Sequence, residues 1–147
     1  ATSVVGTSGA TFYVTGVQLE KGSTATDFEY VDYSRQLQQC QRYCVQMQNS
    51  EYLVIGMADT ISTCEASVPL PVEMRTAPTL TTTATAADYG VRESGTNNNC
   101  TSVPNILGVG GKNIAGVRFN VSSAFTTGQA LYAYGNSGGF LRFEAEL

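Results

Sequence analysis

Apolar residues alternate with polar or small ones in several short stretches of this chain, which is the pattern of β-strands with one buried face. Near the C-terminus this alternation groups the following residues on shared strand faces: Val117, Phe119 and Val121; Leu131 and Ala133; Leu141, Phe143 and Ala145. The Asn-Ser-Gly-Gly stretch at 136–139 predicts a tight hairpin between the last two strands. The same period of two predicts a strand over residues 11–20.

One stretch has helical periodicity instead. Residues 32–48 contain neither Gly nor Pro and place Leu37, Cys40, Cys44 and Met47 at helical spacings. This predicts one short helix, with Cys40 and Cys44 on the same face.

Two later stretches contain residues that are typical of sheet edges and of turns. In residues 66–75, Pro69 and Pro71 alternate with apolar positions, and because proline cannot donate to a ladder, the strand is predicted at a sheet edge or with a bulge. Residues 88–105 are polar and rich in turn formers, which predicts an exposed excursion.

These elements predict a mainly β fold: an antiparallel β-sandwich, jelly-roll-like, with one short N-terminal helix. We divide the chain of 147 residues into an N-terminal strand arm, 1–31, and a C-terminal β-sandwich domain, 32–147.

Composition and charge exclude several classes of partner. The formal charge is −4 and the eight Lys and Arg residues are spread along the chain, so nucleic acid is not an expected partner. No apolar run is long enough to predict membrane insertion. The four cysteines are expected to be buried free thiols, with a zinc site as the weaker alternative, and no cofactor or metal is expected.

Catalytic chemistry has few candidate groups. The chain has no histidine, which excludes Ser-His and Cys-His pairs. Paired carboxylates remain, Glu65 with Glu73 or Glu144 with Glu146, but alternation along a solvated strand face explains the second pair equally well. The expectation is therefore that the protein is not an enzyme.

Binding chemistry is better represented, because Tyr and Asn in loops are adaptable contact residues. The candidate receptor-binding residues are Tyr89, Arg92, Asn97, Asn98 and Asn99 in the polar excursion, and Tyr134 and Asn136, which with Tyr132 lead into the last hairpin. The alternative is that the tyrosines cover the core or subunit contacts and the Asn run only forms turns.

Residues 16–43 resemble a segment of tailed-phage fibre and related virion proteins, in which a G-V-Q-L-E-x-G-S-x-A-T-x-F-E core precedes a Tyr, a short helix and a C-Q-R-Y element. The matching residues are Gly16, Val17, Gln18, Leu19, Glu20, Gly22, Ser23, Ala25, Thr26, Phe28, Glu29, Tyr33, Cys40, Gln41, Arg42 and Tyr43. A looser match to the family's P-V-x-M-R-x-x-P-T stretch covers Pro71, Val72, Met74, Arg75, Pro78 and Thr79.

The resemblance implies a bacteriophage fibre tip in the virion, at the tail or alternatively on the capsid surface. It implies a homotrimer whose arm is the last strand of a preceding fibre module. Its expected partners are other copies of itself, other virion fibre or tail proteins, and a polysaccharide or protein of the host surface. The alternatives are a structural capsid fibre or decoration protein and, less favoured, a polysaccharide depolymerase.

Overall fold

The computed structural model describes residues 8–9, 11–24, 26–48, 52–122, 125–136 and 138–145. The chain divides into two compact units, Ala1–Tyr33 and Ser34–Leu147. All strands of the described residues lie in the second unit.

The described part of the chain contains one α-helix, one short 3-10 helix and ten strands. In chain order they are α1 Tyr33–Gln41, β1 Cys44–Gln48, β2 Val54–Thr60, β3 Thr63–Pro69, β4 Thr79–Thr82, the 3-10 helix Ala86–Asp88, β5 Tyr89–Glu93, β6 Thr96–Asn99, β7 Asn105–Gly110, β8 Ile114–Asn120, β9 Ala130–Gly135 and β10 Phe140–Glu144.

The strands form two antiparallel sheets. One has three strands in the order β1-β10-β4, and the other has seven in the order β6-β5-β9-β2-β3-β8-β7. The predicted mainly β, antiparallel class is confirmed. Residues of both sheets share one hydrophobic cluster, an arrangement consistent with a β-sandwich.

The core is built from the alternation that the sequence shows. The inward residues of β8, β9 and β10 are all buried: Val117, Phe119, Leu131, Ala133, Leu141 and Phe143, followed by Val121 and Ala145 just beyond the strands. Val45 and Met47 of β1 and Leu80 of β4 pack against the same cluster. These strand-face predictions are confirmed because which side chains share a face is a local property of a strand.

The predicted helix is too long. α1 ends at Gln41, and Cys44–Gln48 forms β1, which pairs with β10 from Cys44↔Glu144 to Gln48↔Phe140. Val45 and Met47 turn toward the core while Cys44 stays exposed. Pairing with a strand nearly 100 residues away overrides the local helical spacing, so Cys40 and Cys44 do not share a helix face.

The prediction that the proline-containing strand lies at a sheet edge is also wrong. β3 lies inside the seven-stranded sheet, between β2 and β8. Pro69 is its last residue, and the chain from Leu70 to Pro78 is irregular. Because Pro69 is the last residue of β3, its missing N–H does not interrupt the ladder inside the strand. The strand can therefore lie in the interior of the sheet.

The last two strands do not form a hairpin. β9 belongs to the seven-stranded sheet and β10 to the three-stranded sheet, so the chain passes from one sheet to the other after Gly135 and before Phe140. Asn136 N–H donates to the Asp88 carbonyl at 2.6 Å, and its side-chain amide donates to the Ala87 carbonyl at 3.1 Å. A Cβ on Gly139 would overlap the Asp88 carbonyl oxygen, so this close crossing requires glycine.

The N-terminal unit contains no strand over residues 11–24, where one was predicted. The polar side chains of its Gln-Leu-Glu stretch instead fold onto residues 26–29. The Glu20 carboxylate accepts from the Thr26 hydroxyl at 2.6 Å and from the Thr26 N–H, and Gln18 Oε1 accepts from the Glu29 N–H at 2.7 Å. Hydrogen bonds from the Thr26 hydroxyl and backbone N–H lower the pKa of Glu20.

Apolar side chains of the same unit face solvent. Phe12, Val17 and Leu19 are exposed, Leu19 almost completely at 99%. The side chains of Gln18 and Glu20 form hydrogen bonds within the unit. The three apolar side chains, in contrast, are not covered by any of its described residues.

Candidate functional site

The outward face of the seven-stranded sheet carries an aromatic surface. In β9, Leu131 and Ala133 point into the core, while Tyr132 between them is 46% exposed. In β2, Val54 and Ala58 are buried and Ile55 is 65% exposed. Large apolar side chains therefore occupy positions that strand alternation gives to solvent.

Strand register brings the outward residues into one row. Asn97 lies opposite Arg92, Arg92 opposite Tyr132, and Tyr132 opposite Ile55. Directly opposed residues in antiparallel strands have Cβ atoms roughly 5 Å apart, close enough for side chains to touch. We name Tyr52, Ile55, Tyr132, Arg92 and Asn97 the tyrosine patch.

Tyr52 completes the patch just before β2. Its ring centroid lies 5.3 Å from that of Tyr132 at an interplanar angle of 56°, within the range of favourable aromatic pairs. Arg92 Nη1 donates to the Tyr52 hydroxyl at 3.3 Å. Two half-exposed rings thus stand beside a guanidinium and an amide.

This chemistry suits a polar ligand with apolar patches, such as a saccharide. An aromatic ring gives a flat apolar body for C–H groups and a polar edge. Guanidinium and amide groups supply donors and an acceptor in fixed directions. The surface is open, so it can contact a chain without enclosing it.

Of the predicted binding residues, Arg92 and Asn97 are brought together in the tyrosine patch. Asn99 is exposed on the same face, opposite Gly90 one row away. Asn98 is half-buried opposite Val91, on the alternate side of β6.

Neither Tyr134 nor Asn136 presents an exposed side chain. Tyr134 is only 8% exposed and covers Gly90 with its ring. Burial first, and the neighbouring Cys100 second, raise the pKa of its hydroxyl, against the opposing effect of Arg92. Asn136 is half-buried and binds the backbone of residues 87 and 88. Tyr134 therefore packs against the sheet, and Asn136 stabilises the connection between β9 and β10.

Tyr89 corrects the prediction of an exposed excursion over 88–105. This segment contains the β5–β6 hairpin, and Tyr89 is fully buried. Its hydroxyl donates to the Phe140 carbonyl at 2.7 Å and accepts from the Thr83 N–H at 2.8 Å and the Thr83 hydroxyl at 2.9 Å. A buried hydroxyl with three partners joins the sheets and contacts no receptor.

Sequence reasoning missed Tyr52 and Ile55. Ile55 lies in an apolar run of the sequence, Tyr-Leu-Val-Ile-Gly-Met, whose outward positions are as apolar as its inward ones. A strand that is apolar at successive positions has apolar residues on both faces. This run could therefore have indicated that the second face is also covered or binds a ligand.

The carboxylate pairs considered for catalysis are not supported as pairs. Glu65 forms an ion pair with Arg118 on β8, while Glu73 lies beyond β3 in a groove beside α1. Glu144 accepts from the Thr81 hydroxyl at 2.5 Å, and Glu146 lies outside the described residues.

The cysteine prediction is half correct. All four thiols are free; Cys64 and Cys100 are buried, but Cys40 and Cys44 are exposed. Burial, with a smaller effect of Glu65, raises the pKa of Cys64 to about 12, and burial next to Cys64 raises that of Cys100 to about 12. Within the described ranges, no three His, Cys, Asp or Glu residues cluster as metal ligands.

No protein-family model, curated protein or solved structure matches this chain. In the part of the chain that the structure describes, no helix is long and apolar enough to cross a membrane.

Proposed function

We propose that this chain is a non-enzymatic fibre tip of a bacteriophage virion that attaches to a glycan of the bacterial surface through the tyrosine patch. The observation that carries the proposal is the exposed Tyr52–Tyr132 pair with Arg92 at its edge. The resemblance of residues 16–43 to phage fibre segments supplies the biological setting, in the tail fibre.

A homotrimer with jelly-roll subunits is part of this proposal. The apolar arm residues Phe12, Val17 and Leu19 are exposed, and exposed apolar surface of this kind favours association. A closed threefold ring would cover each arm identically without open-ended growth. Three copies of a shallow site would also raise the avidity of weak single-site binding.

Point substitutions test the site better than replacement of the whole 88–105 hairpin, because the hairpin contributes Tyr89 and Val91 to the core. For the double variant Tyr52→Ala, Tyr132→Ala we expect binding of the labelled protein to host cells to fall roughly 30-fold, because losing about 1 kcal/mol at each ring removes about 2 kcal/mol in total.

The matched control is Tyr43→Ala, which removes a similarly exposed tyrosine outside the patch. It should bind host cells like the unchanged protein, and both proteins should melt cooperatively. Equal binding by the double variant and the control would remove the patch as the receptor site.

A structural role, as a capsid fibre or decoration protein, is the second candidate, and the exposed arm favours it. In that case the protein assembles through its apolar arm and needs no receptor. Virions carrying the double variant would then adsorb normally while still incorporating the chain.

A further inference from the structure

A groove beside α1 has the chemistry of a second, different binding site. Arg35, Gln38 and Gln39 lie at helical spacings along α1, and Arg42 follows directly after the last residue of the helix; all four line the groove. They face Val72 and Glu73 across a groove of about 480 Å³. All of these residues belong to the second unit.

Cations elsewhere in this unit are engaged by neighbouring side chains. Arg118 is paired with Glu65, Arg92 donates to Tyr52, and Arg142 donates from Nε to Gln46 at 2.9 Å. These contacts fix the guanidinium groups in place and use part of their donor capacity.

Three of the cations around the groove differ. Within the described ranges, no side-chain hydrogen bond or ion pair engages Arg42, Arg75 or Lys112. Backbone bonds nevertheless hold the three close together: Arg75 N–H donates to the Arg42 carbonyl and Met74 N–H to the Lys112 carbonyl, each at 2.9 Å. Three segments that carry positive side chains are therefore neighbours in a chain whose net charge is −4.

Glu73 adds a hydrogen-bond acceptor to the groove. It lines the groove with Arg42 and also the adjoining hollow with Lys112. A carboxylate at this position disfavours a second anionic group close beside it and accepts hydrogen bonds from hydroxyl groups. The groove thus combines guanidinium and amide donors for one anionic group with an acceptor for neutral hydroxyls.

We propose that this groove binds a carboxylated saccharide unit, with the sugar carboxylate on Arg42, and its hydroxyls between Glu73 and the amides of Gln38 and Gln39. Guanidinium groups bind carboxylates through two parallel hydrogen bonds, which sets orientation as well as charge. A uronic acid and a nonulosonic acid share this chemistry. The site uses none of the tyrosine patch and goes beyond the proposed function.

The test is calorimetric titration of the full chain with three oligosaccharide probes, containing glucuronate, galacturonate or a nonulosonate, each beside its neutral counterpart. The unchanged protein should bind at least one acidic probe and bind its neutral counterpart at least tenfold more weakly. Binding should weaken as salt is raised from 50 to 300 mM, that is, as the Debye length falls below about 10 Å.

Arg42→Gln should weaken binding of the acidic probe roughly tenfold to a hundredfold, because a charge-assisted hydrogen bond is lost. Arg142→Gln is the matched control: it removes the same charge from the outer face of the three-stranded sheet and should leave binding unchanged.

Failure of all three probes, equal loss in the two arginine variants, or equal binding of the neutral counterparts would each overturn the groove site. The double variant Tyr52→Ala, Tyr132→Ala should still bind the acidic probe. This separates failure of the groove from failure of the tyrosine patch.

Discussion

At the scale of single residues, Tyr89 and Tyr132 show how differently one residue type is used. Tyr89 is fully buried and its hydroxyl links β5 to residues of β10 and the segment after β4, whereas Tyr132 is 46% exposed beside Tyr52. Their sequence surroundings do not separate them, since each lies in a strand and is followed by a small residue, Gly90 or Ala133. Their roles follow from which face of the sheet each occupies.

Tyr89→Phe should lower the free energy of unfolding by about 1 to 3 kcal/mol. The substitution keeps the ring but leaves the Phe140 carbonyl and the Thr83 N–H without a buried partner. Urea denaturation followed by fluorescence measures the change. Tyr132→Phe, whose hydroxyl is at the surface, should change stability by less than about 0.5 kcal/mol. Equal losses in the two variants would contradict the buried network.

At the scale of elements, two connections depend on distant partners. The segment after α1 becomes a strand because β10 offers it a complete ladder from Cys44 to Gln48. The Asn-Ser-Gly-Gly stretch, typical of a hairpin turn, instead carries the chain from one sheet to the other. Glycine is needed there for close approach to Asp88 rather than for a two-residue turn.

Gly139→Ala should destabilise the protein by about 1 to 3 kcal/mol, because the added methyl group overlaps the Asp88 carbonyl oxygen and forces the crossover to shift. Gly108→Ala is the matched control, since a Cβ at that position in β7 would meet open space. Thermal unfolding measures both. A Gly139→Ala protein as stable as the Gly108→Ala protein would mean that the crossover is looser than described.

At the scale of the whole molecule, exposed apolar surface on the N-terminal unit predicts association. Light scattering of the purified chain should show a trimer whose mass does not change with concentration. Val17→Ser with Leu19→Ser should dissociate it at micromolar concentration, because burial of each large apolar side chain contributes about 1.5 to 3 kcal/mol.

Lys21→Ser, a polar substitution in the same exposed unit, is the control and should remain trimeric. A monomeric unchanged protein would remove the trimer from the proposal, while a variant that stays trimeric would place the subunit interface elsewhere in the chain.

The sequence by itself determined the mainly β class, the short helix near residue 33 and the buried faces of β8, β9 and β10. Side-chain alternation is a property of the strand alone, so Val117, Leu131 and Phe143 could be assigned to the core without knowing their neighbours. Arg92 and Asn97 could likewise be identified as polar candidates from the polar, turn-rich segment in which they lie.

Only the tertiary structure decided which strands are neighbours. Sheet order placed β3 in the interior, separated β9 from β10, buried Tyr89 and set Tyr132 beside Tyr52 and Arg92. These outcomes depend on pairings between residues far apart in the chain. Their free energy comes from the joint burial of both sheets, and no local pattern encodes which distant strand will complete a ladder.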